Sequence, residues 1–384
     1  MIRIDRKMTG AALPTVLVVS VFMLILVLAA LTYLSMDMQL YAGWHRERQQ
    51  RMDLFSALKI CCCDSTVFDE DSVSLFLFSE VPVNVYRQGW GFYEIMTASS
   101  GPYLISRLVG AASDSYTHAA FWLCDRNRAL SLAGDTRIDG IVHIPLNGIN
   151  YMEYGEDKFI GDRLMENKLR IAGKELPAVL KDGFVIPEDE VNMHVHANDS
   201  ILMLSCNAIV DGEDIVLSSR SSVHDILVNA RKVTVSSGFR GSLQIMCSDT
   251  VIVKHGAVLE YPSGIYIRSN NGFPYVELQD GCCMAGYVIV EGAAEDFSLS
   301  HPCYMQSSSA SLSGLLYADG SCNLEGDVSG AVYVKDCFHI MGSSTYPGVL
   351  HDAHISRNDT IAYPLFMDAP YRRKAIKKTT LMLK

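Results

Sequence analysis

The sequence predicts a mainly β protein: a long N-terminal transmembrane helix, a small α+β module, then a right-handed β-solenoid (β-helix). Three observations carry this. Met8–Met36 holds no charged residue. From Asn198 to about Leu350 the chain consists of short aliphatic runs broken by glycine and polar turns. Inside that region Leu312–Asp327 and Val328–Ser343 match in Ser, Gly, Tyr and a late Gly, one period of 16 residues apart (312 to 328).

The chain starts with a basic leader, Met1–Gly10, where Arg3, Arg6 and Lys7 face only Asp5. A helix over Ala11–Leu34 is about 36 Å long, enough to cross a bilayer. The basic end is expected to stay cytoplasmic, which puts the remainder on the far side of an inner membrane. The apolar run is about twice the h-region of a cleaved signal peptide, so an anchor is expected. Ser35–Lys59 has no Pro and one Gly, and Leu40, Trp44, Arg51, Phe55 and Leu58 recur at helical spacing. An amphipathic continuation over residues 11–60 follows.

Residues 61–125 read as the α+β module. Strand candidates Val83–Tyr86, Phe92–Thr97, Pro102–Val109 and Ala119–Cys124 are separated by turn residues, as in an antiparallel meander packed on the helix. Residues 126–145 read as a first solenoid segment. Residues 146–197 read as an insert that caps the solenoid or binds a partner, with a short helix near Arg163–Leu180. The main solenoid spans 198–350. There the kernels Ile215–Leu217, Val233–Val235 and Val251–Val253 lie 18 residues apart (215, 233, 251), and S/A-G-aliphatic kernels occur at Ser263-Gly264 and Ala285-Gly286. Short strands at this period suit stacked rungs sharing a core ladder, with ends that need covering. A β-sandwich with coincidental spacing is the alternative. Residues 351–384 read as a basic, frayed tail, since Tyr371–Lys384 carries six cations and no acid.

Of the 384 residues 49% are apolar, and the net charge is −11. An acidic body argues against nucleic-acid binding. The 11 cysteines form no C-x-x-C pair, which excludes zinc ribbons and thioredoxin-type motifs. Cys206, Cys247 and Cys322 share strand parity with aliphatic neighbours and read as small core residues, with disulfides as the alternative in an exported domain.

Enzymatic signals are weak. Asp199, Asp211, Glu213, Asp214 and Asp225, with Arg220, Arg231, Arg240 and Lys254, offer the residue types of a polysaccharide lyase, yet most sit at turn positions. His194-x-His196 lacks further ligands at regular spacing. There is no G-x-S-x-G elbow and no phosphate-binding loop. Trp90, Trp122, Tyr266, Tyr287, Tyr317 and Tyr333 read as a structural aromatic ladder, with a sugar-stacking platform as the alternative. No enzyme, cofactor or metal is therefore expected.

The run A-A-L-P-T-V-L-V-V-S-V after Gly10, followed by A-G-W-H-R-E-R-Q-Q-R-M, resembles bacterial type IV pilin-like proteins, closest to minor pilins of the PilX type. The resemblance covers about residues 1–60. It implies leader-peptidase cleavage after Gly10, with Ala11 first in the mature chain, and packing of the helix into a filament core. Pro14 matches the family's helix-start proline. Thr15 stands where major pilins carry glutamate, which points to a minor or pseudopilin-like subunit. The G-D-T-x-I-x-G-x-V texture resembles bactofilin-like β-helices, which are scaffolds. The expected role is a membrane-anchored assembly protein of the envelope, whose partners are the lipid bilayer and pilus or secretion-type proteins. The rival expectation is a tethered β-helix that binds or cleaves polysaccharide.

Overall fold

The structure is a computed structural model that describes residues 12–63, 72–79, 81–113, 118–153, 155, 157–180, 183–187, 193–196, 203–204, 208–269, 272–292, 302–367 and 373–383. The chain is mainly β, with one long helix, Ala12–Cys63, unbroken over 52 residues. Within its apolar stretch the hydroxyls of Ser20 and Thr32 donate to carbonyls three residues back, at 2.9 and 2.8 Å, so neither polar group is left unsatisfied.

The last turns of the helix seat on a sheet. Leu54, Ala57, Leu58 and Cys61, which share one helix face, are buried against Val83, Val85, Met96, Ala98, Ile105 and Val109. The buried stripe differs from the one expected from spacing: Leu58 belongs to it, whereas Leu40, Trp44 and Phe55 are exposed. Asp53 is also buried. Its carboxylate accepts from Gln49 Nε2 at 2.9 Å and from the Ser79 backbone N–H at 2.8 Å, which pins the incoming loop to the helix.

That sheet has five strands in the order Ser72–Leu75, Val83–Trp90, Tyr93–Ser100, Tyr103–Ala111 and Arg373–Leu383, all antiparallel. The final strand differs from the expected frayed tail. Residues 373–383 complete the sheet beside Tyr103–Ala111, because ladder pairing runs through the backbone and does not depend on the charge of the side chains. Ala353–Ser356 is likewise a strand, paired with the Gly326–Met341 strand.

The remaining strands are paired almost entirely in parallel. Three ladders of in-register residues feed one core. The first runs Val210, Val228, Ile245, Ile265, Val288, Leu316, Val332. The second runs Ile215, Val233, Val251, Val276, Tyr304, Cys322, Cys337. The third runs Leu259, Met284, Leu312, Val328, Ile355, Ile138. The expected 18-residue spacing is the observed register of Ile215, Val233 and Val251, and the 16-residue repeat is the register of Leu312 on Val328. At Ser263-Gly264 the register is one residue away from the motif match: Ser263, not Gly264, lies opposite Gly286.

Long strands are shared between neighbours. Arg240–Val253 pairs with Val258–Arg268 along its first part and with Tyr275–Leu278 along its second. Ser311–Leu324 is shared in the same way, so the hydrogen-bonded set is continuous from one ladder to the next.

The chain order of the stack is not its spatial order. Ala119–Leu123, placed by sequence in the first module, pairs with Gly326–Met341. Ile141–Ile144 pairs with Ala119–Leu123, and Leu169–Ile171 with Ile141–Ile144. The early strands thus extend the late end of the stack. In place of the short helix expected near Arg163–Leu180 there is a 3-10 turn, Glu166–Lys168, followed by the Leu169–Ile171 strand. The apolar residues Leu164, Leu169 and Ile149 are spent on the core end instead.

Candidate functional site

The first site element is the helix itself. Gly10 and Ala11 lie outside the described residues. Pro14 and Thr15 occupy the first turns with exposed side chains. From Val16 to Leu34 every large apolar side chain is exposed, and this stretch is long and apolar enough to cross a membrane. Just beyond it, Tyr41, Trp44 and His45 cluster on the helix surface, with the Tyr41 and His45 rings 4.7 Å apart, and Arg48 lies over the Trp44 ring at 5.5 Å. Aromatic and basic residues at the end of an apolar span are the usual composition of a membrane–water interface.

The carboxylates considered for catalysis bond to neighbouring strands. Arg231 bridges Asp214 at 2.8 Å and Asp249 at 3.3 Å. Arg240 pairs with Glu260 at 2.6 Å. Asp211 accepts from Asn229 at 3.0 Å, and Asp225, at positive φ, accepts from Ser242 at 2.8 Å. Glu213, Arg220 and Lys254 are exposed. Of this group only Asp211 and Arg231 line one open surface pocket, with Asn229, Ser248 and Arg268; the other described members lie outside it. Asp199 and the side chains of His194 and His196 lie outside the described residues.

The aromatic ladder is covered. Tyr266, Tyr287, Tyr317 and Tyr333 are buried, together with Phe92, Tyr363 and Phe366. Tyr317 lies in register with Tyr333, and Tyr333 with Trp122. Phe184 stacks on Tyr266 at 5.5 Å, and Phe92 meets Tyr266, Tyr287 and Phe366 edge to face at 4.9–5.5 Å. Trp90 is buried beside Ile209 and Leu227. These rings are inaccessible to a sugar. Burial also raises the phenols of Tyr266, Tyr287, Tyr317 and Tyr363 above their ordinary value.

Of the ten described cysteines seven are buried. Cys247 and Cys322 lie within the core, as the parity argument expected, with Cys337 in register beside Cys322, whereas Cys206 lies outside the described residues. Burial raises the Cys124 thiol to about 11.

Two features escaped the sequence reading. Gln244, an unremarkable residue in L-Q-I-M, is buried and clamps the first sheet to the stack. Its Oε1 accepts from the Phe92 N–H at 3.1 Å and the Tyr287 hydroxyl at 2.6 Å, while its Nε2 donates to the Trp90 carbonyl at 3.0 Å. The second is a group of Asp157, His339 and His351, whose ligating atoms lie within 4.8 Å of one another. No spacing rule finds it, because Asp157 belongs to a distant turn.

No family model and no curated protein matches this chain. Among solved structures it is similar to the competence-associated pilin ComZ from Thermus thermophilus, at 10% identity over 83% of this chain and 88% of that one, with a TM-score of 0.21. A score of that size carries no argument about fold or role.

Proposed function

We propose that the chain is a pilin-like, membrane-anchored subunit of a bacterial envelope assembly, which acts through protein contacts rather than by turnover. The observation that carries this is the division of labour along one helix. Its first half leaves Val16–Leu34 wholly exposed, and its last turns bury Leu54, Ala57, Leu58 and Cys61 in a five-stranded sheet. Such an exposed apolar surface needs lipid or other helices around it.

On this reading Gly10 is the processing site and Ala11 the first mature residue. The chain is a minor pilin or pseudopilin, with Thr15 in place of the acidic residue of filament-forming subunits. The helix anchors it in the inner membrane, N-terminus cytoplasmic, and the β part faces the periplasm or exterior. We further read the parallel stack as wound right-handed, the hand of nearly all parallel crossovers. The absence of catalysis is part of the proposal. Its support is that the acidic residues offered by sequence are spent on cross-strand pairing.

Intact-mass measurement of the protein extracted from its native membrane, with identification of co-purifying proteins, tests this. A mass starting at Ala11, detergent-dependent extraction and recovery of pilus or secretion components are expected. A product soluble without detergent, or release of unsaturated oligosaccharides from polysaccharide, overturns it.

A further inference from the structure

We propose that Asp157, His339 and His351 form a binding site for one divalent cation of the zinc class, which ties the late end of the strand stack together. Three separate pieces of chain supply the ligands. His339 is near the end of the Gly326–Met341 strand. His351 ends the Val349–His351 strand, which pairs in parallel with Leu130–Ala133. Asp157 comes from a turn whose backbone carbonyl accepts from Gly134 N at 3.1 Å.

The two imidazole rings stack at 4.1 Å with planes 19° apart. His351 Nε2 lies 3.2 Å from Asp157 Oδ1. Each ring turns its Nδ1 toward a further carboxylate: His339 to Glu325 at 3.4 Å and His351 to Asp352 at 3.5 Å. A carboxylate behind a ligating histidine is the usual outer partner that orients the ring and leaves the other nitrogen for the metal. Neither Nδ1 makes a hydrogen bond as it stands, although the His339 side chain is only 9% exposed.

Charge balance points the same way. Asp157, Glu325 and Asp352 place three carboxyl groups around the two rings, an arrangement that suits a cation. Ligating atoms at tetrahedral zinc, with bonds of about 2.0–2.1 Å, are about 3.3 Å apart, so a modest closure of the group suffices. Gly134, at positive φ, backs onto the site: a side chain there would press on His351 Nε2 and Asp352. Two imidazoles and a carboxylate, leaving one position for water, match zinc rather than magnesium or calcium.

The test uses the full chain in detergent, stripped with chelator and titrated with Zn²⁺ by calorimetry and with Co²⁺ by visible absorption. One equivalent is expected to bind, with a tetrahedral cobalt spectrum free of thiolate charge transfer and a raised Tm. His351→Ala and His339→Gln should each lose binding by about a hundredfold or more, and Glu325→Gln should weaken it by about tenfold. The wild-type cobalt spectrum stands even if a variant fails to fold. The proposal is overturned by no stoichiometric binding, by a thiolate-ligated cobalt spectrum, or by unchanged affinity in folded His351→Ala.

Discussion

The Gln244 side chain receives the backbone N–H of Phe92, 3.1 Å away, and so joins the antiparallel sheet to the parallel stack through one buried amide. The same amide holds the Tyr287 hydroxyl and the Trp90 carbonyl. Gly91 at the hairpin tip permits this, because its positive φ and missing side chain let the backbone lie against Gln244. Around the clamp Phe92 is packed edge to face against four rings.

Gln244→Ala should therefore cost more than a surface change. It strands two buried donors and one acceptor, each worth about 1–3 kcal/mol when left unpaired. A loss of at least about 2 kcal/mol is expected in chemical denaturation, together with faster proteolysis at the Trp90–Phe92 turn. Tyr287→Phe removes only one donor and should cost about 1 kcal/mol.

A second expectation concerns Gly314. Gly286, Gly314 and Gly330 lie in register on three successive strands. A Cβ on Gly314 would collide with the Gly286 carbonyl, and a Cβ on Gly330 with the Gly314 carbonyl. Gly314→Ala should prevent native strand spacing and give insoluble or strongly destabilised protein. Gly256→Ala, at a turn with open space around it, should cost only the left-handed backbone penalty of about 1–2 kcal/mol. Thermal melts of Gly330→Ala, which is crowded without a positive φ, beside Gly256→Ala separate crowding from strain.

These glycines also show what was legible in the sequence. The S-G-aliphatic-Y repeat was visible because each rung meets the same packing demand, so register and repeat are one thing: Leu312 on Val328, Tyr317 on Tyr333. The apolar span and its helical continuation were legible for the same local reason. Pairings between distant segments were not. Nothing in A-A-F-W-L shows that Phe121 stacks on Val332, since any aliphatic strand fits a parallel core ladder. The basic terminus misled because charge reports exposure of one face, whereas Arg373–Leu383 pairs through its backbone. Gln244 and the His339–His351 pair were invisible because their meaning lies wholly in partners far along the chain.

The pH dependence follows from His143. Its ring stacks on Trp122 at 4.1 Å, and burial, followed by the Arg170 charge, lowers its pKa below the ordinary 6.5. A histidine depressed in the fold binds more protons when unfolded. Its contribution is therefore complete above about pH 6.5 and falls away as the pH drops through the folded pKa, by at most about 1.4 kcal/mol per pH unit. His143→Gln should flatten the stability profile on the acid side of neutrality. Comparing denaturation midpoints of the two proteins over that range cancels groups such as Asp336, whose raised pKa acts in the opposite direction.

Thiol chemistry offers the last check on the stack. Cys63 and Cys283 are exposed, whereas Cys247, Cys282, Cys322 and Cys337 are buried, and burial raises the pKa of each of these four. The thiolate is the reactive form, so burial and a raised pKa both slow modification. Cys303 and Cys322 approach to 3.9 Å between sulfurs, close enough to shield each other within the core. In native protein a maleimide should label Cys63 and Cys283 within the mixing period of the assay, with the four buried thiols labelled only as fast as the fold opens. Adding denaturant should bring all of them to one common rate, and Gly314→Ala should expose Cys322 and Cys337 without denaturant. Rapid native labelling at Cys322 or Cys337, read by peptide mapping, would contradict the second core ladder.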